Sequence, residues 1–264
     1  MIRCEVRGRV AVATIDRTER RNALNAELCD ALRDHLAGID VESVGAVVIT
    51  GAGSAFCSGA VLARRAADTG GDGGGIEHGG SDSFRPAFDR VLQAIVEHPL
   101  PVIAAINGPA MGAGMQLAVA CDFRVVGPTA VFGIPAAKLG VVLSSANIAR
   151  LERLVGPGVA RDVLLAARTL DLEEADRVGL VHRRAEDAEA AAVAWAEELA
   201  ALAPITVRGH KHALVLVERG LTPEAVVELR ELETMAFTSD DLQEGLAAFA
   251  EKRPPEVQIG RAHV

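Results

Sequence analysis

The chain has 264 residues, of which 50% are hydrophobic, 24% charged and 3% aromatic, with one Trp and no Tyr. That composition excludes a disordered chain, a collagen-like repeat and a small disulfide-stapled scaffold, and it demands a core packed from Ala, Val and Leu. A formal charge of −9 disfavours nucleic acid as a partner, so any anionic ligand must meet a local group of Arg and Lys.

Met1 to Val10 carries three Arg and no apolar stretch, so no signal peptide is expected. Arg3 to Arg7 and Arg9 to Ile15 read as two short strands joined near Gly8. Leu24, Leu28, Leu32 and Leu36 recur at four-residue spacing and predict a helix, with Asn25 as its N-cap and Gly38 as its stop. The nearly unbroken apolar run from Val44 to Thr50 predicts a strand covered on both faces. Asp68 to Ser83 holds seven glycines in sixteen residues and predicts a mobile surface loop. Phe84, Phe88, Val91, Leu92, Ile95 and Val96 then restore helical spacing before Pro99.

Pro99 to Cys121 carries no charge and is long enough on paper to span a bilayer. Its prolines, glycines, Asn107 and Gln116 predict instead a buried strand, Val102 to Ile106, a Gly-rich turn and a helix from about Ala113 to Ala120. No membrane span is expected. Phe123 to Val126 and Ala130 to Phe132 read as short strands. Helices follow at Ala146–Val155, Gly158–Ala167, Asp187–Leu202, Ile205–Arg219, Pro223–Ala236 and Ser239–Ala250. Strand/helix units followed by helices predict an α/β core with an appended helical part. Cys4, Cys29, Cys57 and Cys121 lie far apart without CxxC spacing. They read as free thiols of a reducing cytoplasm, with neither disulfide nor metal site expected.

Two Gly-rich strand-to-helix junctions carry the chemistry: Phe56-Cys57-Ser58-Gly59-Ala60 and Asn107-Gly108-Pro109-Ala110-Met111-Gly112-Ala113-Gly114. Small residues let a ligand approach the backbone, and a helix start leaves N–H groups free. Two such groups aimed at one carbonyl oxygen form an oxyanion hole. Each glycine taken alone can equally serve a tight turn.

Together with Arg20-Arg21-Asn22-Ala23-Leu24-Asn25, Cys121-Asp122 and Ala248-Phe249-Ala250-Glu251-Lys252-Arg253, in this order and spacing, these pieces resemble the enoyl-CoA hydratase/isomerase (crotonase) family over nearly the whole chain. The resemblance implies a crotonase-like spiral of ββα units as an acyl-CoA-binding core (residues 1–195) and a helical C-terminal oligomerisation region (196–264), in homotrimers or homohexamers. It implies an acyl-coenzyme A thioester as ligand, with no other cofactor. By position, the N–H groups of Ala60 and Ala113 would hold the thioester oxygen. Ala23, Leu24, Ala60, Val61 and Leu62 would line the coenzyme A cleft, with Phe249 and Lys252 reaching it from a C-terminal helix. Arg64 and Arg65 are candidates for phosphate contacts or for an ordinary solvated face.

Hydratases of the family carry one glutamate after the second Gly-rich turn and another twenty residues later, after a Phe-Gly-x-Pro turn. Here those positions are Gln116 and Ala136, and no Asp or Glu occurs between Glu97 and Asp122 or between Asp122 and Glu152. A positioned acid or base contributes ~10²–10⁴ in rate, and an amide neither takes nor returns a proton at neutral pH. Ser144, Ser145 and Asn147 are substitutes in principle, although Ser144 or Ser145 also suits a helix N-cap. His78 and Lys138 read as surface groups, and His210 and His212 as facing different directions. Leu139 to Leu143 suits either an acyl channel or plain core.

Three readings remain at this point. The first is an acyl-CoA binder of fatty-acid and lipid metabolism with little or no hydratase activity. Its turn, Gly-Pro-Ala-x-Gly-Ala-Gly-x-Gln, is similar to that of a subgroup linked to long-chain acyl-CoA handling in mycolate-type lipid synthesis. The second is a base-independent acyl-CoA decarboxylase, and the third an enoyl-CoA hydratase (a lyase) with Gln116 orienting water.

Overall fold

A computed structural model of the chain describes residues 1–61 and 81–256. β1 (Ile2–Arg7) and β2 (Val10–Ile15) form an antiparallel hairpin that turns at Gly8, whose φ of 59° suits a residue without a β-carbon. β2 then pairs in parallel with β3 (Ala46–Gly51), and β3 with β4 (Val102–Ile106). The sheet continues through β6 (Phe123–Val126) to β9 (Arg183–Arg184), giving the order β1-β2-β3-β4-β6-β9. A second, small sheet joins β5 (Ala110–Met111), β7 (Phe132–Gly133) and β8 (Thr169–Leu170).

The strands β2, β3 and β4 are buried throughout and, save for Thr14 and Thr50, apolar up to the closing Gly51, because helices cover both faces. Ala11, Ala13, Ile15, Val47 and Ile49 point to the face covered by α1 (Ala26–Ala37), α2 (Ser81–Glu97) and α3 (Ala113–Ala120). Their neighbours Val10, Val12, Ala46 and Val48 point to the other face, where Ala188, Ala192 and Ala196 of α7 (Ala188–Ala200) pack against them. Small alanines let α7 approach closely, and a β-carbon on Gly45 would run into Ala200. Residue 195 therefore lies inside a helix that belongs to the core layer.

α1 begins as the sequence predicts, with Asn25 Oδ1 accepting the Leu28 N–H at 3.0 Å. Leu24 precedes it and sits fully in the core. The glycine-rich segment expected at 68–83 lies outside the described residues up to 80, and Ser81 to Ser83 belong to α2. α4 (Ala136–Leu139) is a one-turn helix that periodicity did not reveal. The two helices expected at 146–155 and 158–167 form α5 (Ser145–Leu164), broken at Gly156 (φ 78°, ψ 161°) before Pro157. Ser144 has N-cap backbone angles, yet its hydroxyl caps nothing.

After α6 (Leu172–Arg177) and α7, the chain forms α8 (Pro204–Arg219), α9 (Pro223–Phe237) and α10 (Asp240–Glu251). Lys211 ties α8 to the core. Its ammonium donates to Asp122 Oδ2 at 2.6 Å and to the Leu100 carbonyl at 2.9 Å, in a nearly water-free position. No described helix alone is long and apolar enough to cross a membrane.

Candidate functional site

Three glycines bring the two Gly-rich turns into contact. Gly59 has φ 114°, and a β-carbon there would stand 3.2 Å from the Met111 carbonyl oxygen and 3.8 Å from the Ala113 nitrogen. Gly112, at φ 55°, faces the Gly59 Cα across 3.7 Å from the place its own β-carbon would take. A β-carbon on Gly114 would be driven into the Cys57 carbonyl oxygen. Backbone packing here leaves no room for side chains, so the ends of both turns present peptide groups.

The Leu24 N–H donates to the Gly59 carbonyl and the Val61 N–H to the Leu24 carbonyl, each at 2.8 Å. Ala60 lies between these two bonds, and Ala113 opens α3. Neither N–H has an acceptor among the described residues. Both alanines line one cavity of about 240 Å³, together with Gln116 and Ala136. Its outer wall is aliphatic, from Leu139 and from Val141 to Leu143, and α2 contributes Phe84 and Phe88.

The two amide side chains of the lining, Gln116 and Asn147, belong to one chain of hydrogen bonds that begins at Arg150 behind the cavity. Arg150 Nη1 donates to Asn147 Oδ1 at 2.9 Å, and Asn147 Nδ2 donates to Gln116 Oε1 at 2.9 Å. Gln116 Nε2 donates back to the Gly112 carbonyl at 3.3 Å. Ala136 offers a buried methyl group. The titratable side chains of the lining are Arg85 and Asp89, both exposed on α2. Burial pushes the thiol of Cys57, just behind the first turn, up to about 12, so it stays neutral and unreactive. Cys29 and Cys121 are raised to about 12 by the same cause, and all four cysteines are free. Among the described residues no three His, Cys, Asp or Glu side chains group as metal ligands.

Asn22 holds the first turn from below. Its Nδ2 donates to the carbonyls of Ala52 (2.9 Å) and Ala55 (2.7 Å), and its Oδ1 accepts the Arg17 N–H at 3.0 Å. It adopts φ 60°, a left-handed angle that Asn tolerates better than most residues.

Ala60, Ala113, Gln116, Ala136, Ser144 and Asn147 thus meet at one cavity. Leu24 takes part through its backbone, and Ala23 is half-buried beside it. Val61 is exposed at the edge of the described chain. Leu62, Arg64, Arg65 and His78 lie outside the described residues. Phe249 and Lys252, on and after α10, stand outside this cavity, Phe249 with its ring in solvent. Lys138 is exposed, and His212 Nε2 meets Glu228 Oε1 at 2.7 Å.

Sequence reading missed Asp89, because the search for carboxylates covered the stretches beside the second turn and α2 enters from elsewhere. It also missed Arg150. Nothing in the spacing singles it out, except that it follows Asn147 by three residues on a helix.

Two peptide N–H groups without an acceptor among the described residues thus lie beside a largely aliphatic cavity. The sequence model of a family described as enoyl-CoA hydratase/isomerase matches residues 5–258, and the chain belongs to that family. The "Probable enoyl-CoA hydratase echA6" of Mycobacterium tuberculosis is 41% identical over 254 residues, covering 94% of this chain and 96% of the relative. The "Probable enoyl-CoA hydratase echA8" of the same organism is 34% identical over 251 residues, covering 94% of each. Among solved structures, an enoyl-CoA hydratase/carnithine racemase from Magnetospirillum magneticum superposes with a TM-score of 0.83 at 31% identity, covering 97% of this chain and 94% of that one. An enoyl-CoA hydratase from Bacillus anthracis matches at 0.83 and 30%, covering 97% and 98%. The fold is that of the crotonases.

Proposed function

We propose that the chain binds acyl-coenzyme A thioesters of fatty-acid or lipid metabolism in this cavity and has little or no hydratase activity. The family acts on coenzyme A thioesters, which sets the ligand class. The single observation that carries the rest is the cavity lining: two peptide N–H groups with no acceptor among the described residues, beside Gln116 and Ala136, where a proton carrier would have to stand. Ala60 and Ala113 hold the thioester oxygen. Ala23, Leu24 and Val61 line the coenzyme A cleft; Leu62 and Arg64, outside the described residues, and Phe249 and Lys252, outside this cavity, are assigned to coenzyme A by the family resemblance alone. Residues 196–264 serve oligomerisation. That role is supported by the apolar groove of about 500 Å³ between α8, α9 and α10, lined by Ile205, Leu232, Phe237 and Leu246.

A series of acyl-coenzyme A chain lengths tests this reading by thermal shift. A ligand at one hundred times its Kd stabilises the fold by ~2.7 kcal/mol, a shift of several degrees. No shift with any chain length overturns it. Crotonyl-CoA absorbance assays test the second half. Wild type is expected to hydrate at least ~10²-fold more slowly than a relative with both glutamates.

Asp89 supports one competing reading, hydration with a carboxylate from α2 as base. Fast wild-type hydration that Asp89→Asn abolishes would establish it. Slow hydration unchanged by Asp89→Asn leaves the binding reading standing.

A further inference from the structure

Gln116 is held at both ends by groups that can play only one role. A guanidinium only donates, so Asn147 must turn its oxygen to Arg150. That places the Asn147 NH₂ against Gln116, which must answer with Oε1. At the other end the Gly112 carbonyl only accepts, so Gln116 must meet it with Nε2. Both ends demand the same orientation. The second Nε2 hydrogen has no acceptor among the described residues, and Gln116 lines the cavity. Because Gly112 O and Ala113 N belong to one peptide unit, this donor stands within about 5.5 Å of the Ala113 nitrogen.

We infer that Arg150, acting through Asn147, is a positioning residue that makes Gln116 a fixed hydrogen-bond donor, and that the cavity selects acyl thioesters bearing an acceptor oxygen on the β-carbon, such as 3-oxoacyl chains. The inference rests on the acyl-thioester reading above and names the substrate class within it. With the thioester oxygen at the Ala60 and Ala113 N–H groups, a β-oxygen two carbons along the chain lies within reach of an amide one helical turn further on. A saturated or 2-enoyl chain offers that donor nothing, and its N–H is left unpaired. The same polarity works against hydration. A water meeting Nε2 can only accept there, and an amide donor takes no proton from it, so the water is not activated as a nucleophile.

Arg150 has no carboxylate within ion-pair distance among the described residues and does not line this cavity. Glu218 and Asp89 are the acids whose charge it feels, and Arg153 and Arg219 the like charges. Its place is to orient the amides rather than to touch the ligand.

Calorimetric titration of the full chain with dodecanoyl-, trans-2-dodecenoyl- and 3-oxododecanoyl-coenzyme A tests this. The 3-oxo thioester is expected to bind about five- to tenfold more tightly than the other two, the worth of one hydrogen bond. Arg150→Met is expected to lower that ratio about twofold, the Gly112 carbonyl then being the one remaining hold on the amide, and Arg150→Lys, still donor-only, to retain it. A purely structural role for Arg150 would lower all three affinities together. Gln116→Leu, which removes the donor itself, is expected to bring the ratio near one, and it reads the same point if Arg150→Met does not fold. Equal binding of the three thioesters by wild type, or a preference undiminished in these variants, overturns the inference and leaves the acyl-thioester reading intact. Failure of all three to bind overturns both.

Discussion

At the scale of single residues, the site depends on side chains whose hydrogen-bonding roles admit no alternative. Asn22 satisfies the buried Ala55 carbonyl and the partly buried Ala52 carbonyl, which meet no other donor among the described residues, and it does so from a left-handed backbone angle. Asn22→Ala removes both bonds and the one from the Arg17 N–H, leaving Ala52 O and Ala55 O without their donor. Each such loss costs ~1–3 kcal/mol, so the variant is expected to lose ~2–4 kcal/mol. In a chain of this size that lowers Tm by roughly 4–16 °C. Thermal denaturation checks it, and a Tm within a degree of wild type would show that the loop holds itself. Asn22 was visible in sequence only as part of a family-like stretch. Its bonds span 30 and 33 residues, so no local period marks them.

At the scale of elements, the C-terminal helices join the core through few strong contacts, and Lys211 is the chief of them. The sequence drew attention to His210 and His212 on either side of it. The helix turns Lys211 inward, where it meets Asp122, the acid of Cys121-Asp122, across 89 residues. Asp122 also accepts the Val102 N–H at 2.7 Å, so this one carboxylate links α8, the end of α3 and the start of β4. Lys211→Met leaves that carboxylate, which is about a quarter exposed, without its ion partner, at an expected cost of ~1–3 kcal/mol. Equilibrium urea denaturation measures it. Asp122→Asn combined with Lys211→Met is expected to recover part of the loss, because the uncompensated charge is then gone. A double variant as unstable as the sum of the singles would place the effect in packing instead.

For the whole molecule, two histidines set the response to acid. Burial, reinforced by the Lys211 charge, holds His98 below its ordinary value of 6.5, and partial burial beside Arg124 brings His182, which keeps one side in solvent, to about 4. Arg124 donates to His182 Nδ1 at 3.2 Å, so that nitrogen carries no proton in the fold. Both groups are neutral when folded and take protons more readily when unfolded. Stability from them is complete above pH about 6.5 and falls as the pH drops below it, for His182 until about pH 4. The lowered carboxylates, Glu97 and Glu244 among them, give way only below about pH 4.5. Melting temperature is therefore expected to decline already between pH about 6.5 and about 5, and His182→Gln to flatten part of that slope. A Tm that is flat over this interval would mean that neither ring is held neutral.

The sequence by itself determined what depends on residue identity at a position. The covered strands read from unbroken apolar runs, α1 from its leucine spacing and Asn25 cap, and the two Gly-rich turns from their composition. That Gln116 and Ala136 carry no carboxyl group is equally a matter of identity, and folding cannot alter it. Tertiary structure alone decided which distant groups share the cavity with them. Asp89 arrives on α2, and Arg150 reaches Gln116 through Asn147, 31 residues along the chain from that glutamine. Which end of an amide faces a ligand is set by the donors and acceptors around it in space, and those neighbours have no fixed separation in sequence. Periodicity reports only the face a residue turns to the core, so it could place Gln116 on α3 but not orient its amide.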